Sequence, residues 1–255
     1  MKTIGVIPAR MAASRFPGKP LYPILGRPML EHVFQRAKMY AGWDTLVLAT
    51  CDKEIADFGK SRDIPVVMTG DHHTRALDRV AEAVEKLGEA VDDDDIIVCV
   101  QGDEPMLRPD MIEAVTAPLL KDPSVPGTIL SLHVVDEALW RNPDTVKLVA
   151  NAAGEVLYTS RAPIPYCKAF SAGLEARRIG GIFGFRWRYL KAFTAHPETR
   201  LERVESCDSN RVLDMPFRQR MAPYPALPAF SVDSPADVGL VETHMAADPL
   251  WQKYR

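Results

Sequence analysis

An apolar run that stops at a cationic loop limits most sharply what this chain can become. Lys2 to Ile7 (K-T-I-G-V-I) suits a buried first strand of a parallel sheet. At Pro8-Ala9-Arg10 it gives way to Met11-Ala12-Ala13-Ser14-Arg15-Phe16-Pro17-Gly18-Lys19-Pro20. A helical stripe resumes at Pro28-Met29-Leu30 and continues through Val33, Phe34 and Ala37. Small side chains at Ala9, Ala12, Ala13 and Gly18 let backbone N–H groups approach phosphate oxygens. Arg10, Arg15 and Lys19 add positive charge, and an arginine can meet a phosphate through two parallel hydrogen bonds. Pro17 and Pro20 restrict the loop, so less ordering entropy is lost on binding. Neither the P-loop pattern nor the G-x-G-x-x-G fingerprint is present. Such a loop is either a solvated turn or a polyanion cradle, and the strand before it and the bracketing prolines favour the cradle.

The rest of the chain supplies a sheet for that loop. Thr45 to Thr50 and Pro65 to Thr69 read as second and third strands, with a helix opening at Asp52-Lys53-Glu54 between them, its acidic first turn matching the helix dipole. A loop from Gly70 to Leu77 leads to a helix from Asp78 to Leu87, and Ile96 to Val100 is another buried strand. The acidic run Asp92 to Asp95 reads as a solvated turn. Strands alternating with helices imply a doubly wound, mostly parallel, Rossmann-like α/β sheet, whose ligands sit beyond the carboxyl ends of the strands.

From Thr128 the texture changes to short strand-like pieces: Thr128 to Val135, Val146 to Ala150, Val156 to Ser160 and Ile182 to Arg186. These predict a smaller, partly antiparallel lobe. Arg200 to Leu213 reads as helix and Phe217 to Pro225 as a further strand. Ser234 can cap a last helix with Pro235 in its first turn. The expected organisation is one domain of 255 residues: a nucleotide-binding part over about 1–125, a sugar-binding or dimerisation lobe over about 126–215, and a C-terminal return over 216–255.

Composition narrows the function. Hydrophobic content of 47% and charged content of 25% are ordinary for a globular protein. A net charge of −3 argues against nucleic acid as a partner, so the basic loop is a local feature. No apolar stretch approaches the roughly 18 residues of a membrane span, and Met1-Lys2-Thr3 leads directly into a strand; a cytoplasmic protein is expected. Cys51, Cys99, Cys167 and Cys207 lack metal-type spacing and read as reduced thiols. Trp140, Trp187 and Trp251 read as core or interface residues. His72 and His73 would suggest a metal only if further ligands converged. None can be named from sequence, so the pair reads as solvated or packed within its loop.

Gln101-Gly102-Asp103-Glu104-Pro105 follows the Ile96 to Val100 strand, which places an acidic pair on the same sheet edge as the basic loop. Mg²⁺ at a triphosphate is typically held by one or two carboxylates plus phosphates and water, making Asp103 the first candidate ligand. The alternative is an acidic turn punctuated by Gly102 and Pro105.

Several stretches are similar to one family. Ile7-Pro8-Ala9-Arg10, Ser14-Arg15-Phe16-Pro17-Gly18-Lys19-Pro20-Leu21, Gly26-Arg27-Pro28-Met29 and Gln101-Gly102-Asp103-Glu104-Pro105 resemble the bacterial cytidylyltransferases that activate 3-deoxy-manno-octulosonate (Kdo). Tyr158-Thr159-Ser160-Arg161-Ala162-Pro163-Ile164-Pro165, Asn142 to Lys147, Gly181 to Arg186 and Val232 to Asp237 extend the likeness to most of the chain. The resemblance implies a fold of the nucleotide-diphospho-sugar transferase type, CMP transfer from CTP to a sugar acid for lipopolysaccharide biosynthesis, Mg²⁺ as cofactor and a homodimer. It implies nucleotide contacts at Ala9, Arg10, Ser14, Lys19 and Gln101, and catalytic roles for Arg10, Arg15, Lys19 and Asp103. Sugar-acid contacts fall to Arg79, Arg161, Phe183 and Asp208, and metal ligands to Asp103 and Asp233.

Four departures from the family pattern stand out, three of them in or near the sugar pocket as the family builds it. Arg75-Ala76-Leu77 stands where Ser-Gly-Thr is usual, Ile179 replaces a histidine, Asp208-Ser209 replaces Glu-Gln, and Cys51 replaces Asp. Removing a polar partner from a site built for hydroxyls shifts preference by orders of magnitude, so the departures lead one to expect a relative of Kdo or another small acid as acceptor in place of the Kdo that the resemblance implies. Two rivals follow from the residues: a metal-dependent nucleotide-sugar glycosyltransferase, and a nucleotide-binding protein without turnover.

Overall fold

The computed structural model describes residues 1–12, 16–227, 231–232 and 234–255. Along the chain lie β1 (Thr3–Pro8), β2 (Pro23–Ile24), β3 (Arg27–Pro28), α1 (Met29–Lys38), β4 (Thr45–Thr50), α2 (Lys53–Ser61), β5 (Val66–Met68), α3 (Ala76–Glu85) and β6 (Ile96–Val100). Then follow α4 (Pro109–Lys121), β7 (Gly127–His133), α5 (Glu137–Arg141), β8 (Lys147–Ala150), β9 (Val156–Ser160) and β10 (Arg177–Arg186). The chain closes with α6 (Trp187–Ala195), α7 (Arg200–Glu205), β11 (Arg220–Tyr224) and α8 (Pro235–Ala246). It divides into two compact units, Lys2–Val91 with Val98–Glu113 and Ala229–Arg255, and Met1 with Asp92–Ile97 and Ala114–Pro228.

In the first unit the strands run in the order β6, β1, β4, β5. β1 pairs with β4 in parallel, Ile4 opposite Thr45 and Val6 opposite Val47, and β4 pairs with β5 in the same sense. Every residue of β1 and of β6 is buried, which explains why both read as unbroken apolar runs. The chain moves outward from β1 to β4 and β5, then returns to place β6 on the other side of β1. That reversal leaves a crevice beyond the carboxyl ends of β1 and β6, the usual ligand position on an open α/β sheet. A hairpin of β2 and β3, turning through Leu25 at φ 46° and Gly26 at φ 82°, closes the loop region before α1. α8 starts as expected from Ser234 and Pro235, with Ser234 and Asp237 forming a reciprocal cap.

The second unit carries β11, β7 and β10 side by side, β11 parallel and β10 antiparallel to β7. β8 pairs with β10, and β9 with β8, both antiparallel. Three expectations need correction here. β10 begins at Arg177, well before Ile182, with an irregularity between Ile179 and Phe183 and Gly181 at φ 70°. The helix from Arg200 stops at Glu205 because Ser206 takes the left-handed conformation, and a 3-10 segment covers Asp208–Asp214. The acidic run is not simply solvated. Asp95 is 1% exposed and accepts from Asp92 N, while Asp93 and Asp94 pair with Lys191 and Arg188.

Among the described residues no cysteine is in a disulfide, and Trp140 and Trp187 are buried. Among the described residues no helix is long and apolar enough to cross a membrane.

Candidate active site

A cavity of roughly 310 Å³ opens in the first unit, lined by Ala9, Arg10, Lys19, Arg79, Gln101 and Asp103 together with Phe16, His73, Thr74, Arg75 and Ala76. It lies where β1 and β6 end. Pro8, Ala9 and Arg10 leave β1, and Gln101, Gly102 and Asp103 leave β6. The two chain ends approach so closely that a Cβ on Gly102 would stand 2.9 Å from Pro8 O. Glycine at 102 is thus a requirement of the crevice and more than the turn punctuation its sequence context suggests.

Lys19 sits at the start of a 3-10 turn, Lys19–Leu21, preceded by Gly18 at φ 76°. Its Nζ donates to Asp103 Oδ2 at 2.9 Å and to Val232 O at 2.7 Å, while Val232 N donates to Asp103 O at 3.0 Å. Val232 is therefore bonded to Lys19 through its carbonyl and to Asp103 through its amide. Asp103 Oδ1 makes no hydrogen bond among the described residues. Ser231 Oγ donates to Glu104 Oε1, drawing the 231–232 segment onto the turn after β6.

Arg79, in the first turn of α3, is 3% exposed. Its Nη1 donates to Thr69 Oγ1 and to Gly70 O at 3.1 Å, and its Nη2 is buried with no hydrogen-bond partner among the described residues. A buried guanidinium with an open donor, lining a cavity, is a ready anion partner. Sequence reasoning did not find Thr69, Gly70 or the backbone carbonyl of Val232. The apolar character of β5 hid the first two, and backbone acceptors have no residue signature.

Of the residues singled out from sequence, Ala9, Arg10, Lys19, Arg79, Gln101 and Asp103 share this cavity. Ser14, Arg15 and Asp233 lie outside the described residues. Arg161, Phe183 and Asp208 belong to the second unit. There the Arg161 guanidinium donates to Glu205 O and Pro143 O, both at 2.9 Å. Phe183 is buried opposite Ile129, and Asp208 opens the 3-10 segment after buried Cys207.

A cytidylyltransferase family model matches residues 4–217. The 3-deoxy-manno-octulosonate cytidylyltransferase of Nitratidesulfovibrio vulgaris is 42% identical over 240 residues, covering 93% of each chain. The protein of that name from Haemophilus influenzae is 35% identical, over 95% of this chain and 98% of its own. The solved structure of CMP:2-keto-3-deoxy-manno-octonic acid synthetase complexed with CTP superposes with a TM-score of 0.86 at 33% identity, over 97% of this chain and 99% of that one. With this identity spread over nearly the whole length, the chain belongs to the cytidylyltransferase family.

Proposed function

We propose that this cytidylyltransferase transfers CMP from CTP to a 3-deoxy-2-keto sugar acid, Kdo or a near relative, and releases pyrophosphate. The observation that carries the reading is the convergence of Arg10, Lys19, Arg79, Gln101 and Asp103 on one cavity at the sheet's reversal point. In this reaction a hydroxyl of the acceptor attacks the α-phosphorus, and the developing charge collects on the departing pyrophosphate. Such chemistry needs positioning and charge neutralisation more than covalent help. Arg10 and Lys19 supply fixed positive charge for the triphosphate tail, Gln101 and the backbone near Ala9 hold the nucleotide, and Arg79 offers its open Nη2 to an acidic group.

Asp103 fits a hard divalent cation, because its carboxylate is about a third exposed and has an oxygen free of hydrogen bonds among the described residues. It would hold Mg²⁺ with the substrate phosphates, and the resemblance adds Asp233. A bound Mg²⁺ would neutralise phosphate oxygens and lower the pKa of the acceptor hydroxyl. The same reading makes the enzyme a cytoplasmic homodimer that activates a sugar acid for lipopolysaccharide assembly.

Arg75 and Ala76 both line the cavity, in the segment that departs from the family pattern. That position supports an acceptor related to Kdo as a second reading. Incubation of the purified chain with labelled CTP, Mg²⁺ and a panel of sugar acids tests both. A CMP–sugar product with pyrophosphate release is expected, and the fastest acceptor decides between the readings. Release of a nucleoside diphosphate from a nucleotide-sugar donor, with no pyrophosphate from CTP and any acid, would overturn the proposal in favour of a glycosyltransferase.

A further inference from the structure

From sequence, the pair His72-His73 lacked a third ligand. The fold supplies one. Glu82, on α3, approaches both histidines, so that a ring nitrogen of each and a carboxylate oxygen all lie within 4.8 Å of one another. His73 Nε2 contacts Glu82 Oε2, and the two imidazoles lie with centroids 4.1 Å apart, tilted 42° to one another. His72 is exposed and makes no hydrogen bond among the described residues.

We propose that His72, His73 and Glu82 form a binding site for one divalent transition-metal ion of the zinc type, built from residues with no part in the reaction proposed above. Two imidazoles and one carboxylate suit zinc and its neighbours, whereas Mg²⁺ prefers oxygen alone. Ligand atoms on a tetrahedral zinc stand about 3.3 Å apart, from bonds of about 2.0 Å, so rotation of the exposed His72 ring closes the set. The solvent side leaves a fourth position for water.

The surroundings are those of a supported site. Gly70 N donates to both Glu82 oxygens, at 2.9 and 3.1 Å, and Lys86 Nζ lies 2.5 Å from Oε1. These fix the carboxylate with Oε2 turned to His73, as groups behind metal ligands generally do. Burial would raise the Glu82 pKa, but Lys86, the Gly70 amide and His73 outweigh it and hold the group down to about 2. Gly70 also makes room for the ring, since a Cβ there would stand 2.4 Å from His72 Cε1. His73 lines the nucleotide cavity beside Thr74, Arg75 and Ala76. A metal at this point would tie the 70–76 loop to α3 and fasten one wall of that cavity.

Metal-free full-length chain, titrated with Co²⁺ at mildly basic pH, tests the site. The expected result is one Co²⁺ per chain with a visible ligand-field band, displaced by Zn²⁺. His72→Ala, an exposed change that leaves the fold intact, weakens binding at least tenfold, and His73→Gln abolishes the band. Asp103→Asn keeps both band and stoichiometry. Absence of a ligand-field band in the wild type, undiminished binding in the His72→Ala/His73→Gln double variant, or loss of binding in Asp103→Asn would each overturn the proposal.

Discussion

The cavity of the first unit and the polar cluster around Glu205 in the second use the same kinds of side chain but connect them differently. In the cluster, Glu205 Oε1 accepts from Tyr158 OH at 2.6 Å and Ser160 Oγ at 2.8 Å, and Oε2 accepts from Arg161 N at 2.9 Å. Nearby, the fully buried Lys147 gives its three protons to the carbonyls of Asn142, Thr145 and Arg161 at 2.6–2.7 Å. These groups satisfy one another, and such closed networks rigidify a fold. In the cavity, Arg79 keeps a buried donor open and Asp103 keeps an oxygen open. Incomplete pairing costs stability and leaves capacity for a ligand. The contrast separates residues whose loss should slow the enzyme from residues whose loss should melt it.

The largest effect should come from the cavity. Lys19→Ala removes the cation between Asp103 and Val232 and should lower kcat/KM on the order of a hundredfold or more, about 3 kcal/mol of transition-state stabilisation. Thermal unfolding should move little by comparison. Near-normal turnover in a steady-state assay would remove Lys19 from the chemistry and blur the contrast.

Glu205→Ala should do the reverse. It strands the Tyr158 and Ser160 hydroxyls and the Arg161 amide, at a cost of about 2 kcal/mol. For a chain of this size that lowers Tm by roughly 4–8 °C. The pH dependence sharpens the test. Burial raises the Glu205 pKa, but Tyr158, the Arg161 amide and Ser160 outweigh it, so the folded value lies below the ordinary 4.5. Stabilisation from this group is therefore complete above the unfolded value and is lost as pH falls through the folded one. The Tm gap between wild type and variant should narrow below about pH 4.5. A gap that widened in acid, or a hundredfold loss of kcat/KM at unchanged Tm, would place Glu205 among the working residues.

How far the sequence revealed each region follows from the same contrast. β1, β4 and β6 were legible because buried strands of a parallel sheet are continuous apolar runs, and the cationic loop with Gln101-Gly102-Asp103 could be placed at their ends. The cap at Ser234 was legible because it is local. β10 was read short, since its first residues, Arg177 and Arg178, are charged and the strand carries an irregularity after Ile179. The stop at Ser206 depends on one left-handed residue with no glycine to announce it. Lys19 reaches a carbonyl 213 residues away, and His73 meets Glu82 across a loop and two turns of helix. Contacts of that kind leave no periodicity to read.

The smallest effect tests how the open guanidinium is held. Thr69 is buried, and its hydroxyl accepts from Nη1 of Arg79, whose buried Nη2 keeps no hydrogen-bond partner among the described residues. Thr69→Val keeps the volume and removes the acceptor, while Gly70 O still holds Nη1 at 3.1 Å. The expected loss is one hydrogen bond to a charged group, about 1.5 kcal/mol, or roughly tenfold in kcat/KM. If Arg79 grips an acidic group equally in ground and transition states, the loss appears in KM with kcat nearly constant. Thr69→Ser, which restores the hydroxyl, should return most of it. A merely structural role predicts a different pattern, with Tm falling for both variants in proportion to lost methyl packing and kcat/KM unmoved. A KM effect rescued by serine would make Thr69 a positioning residue and would extend the open wiring of the cavity one residue beyond its lining.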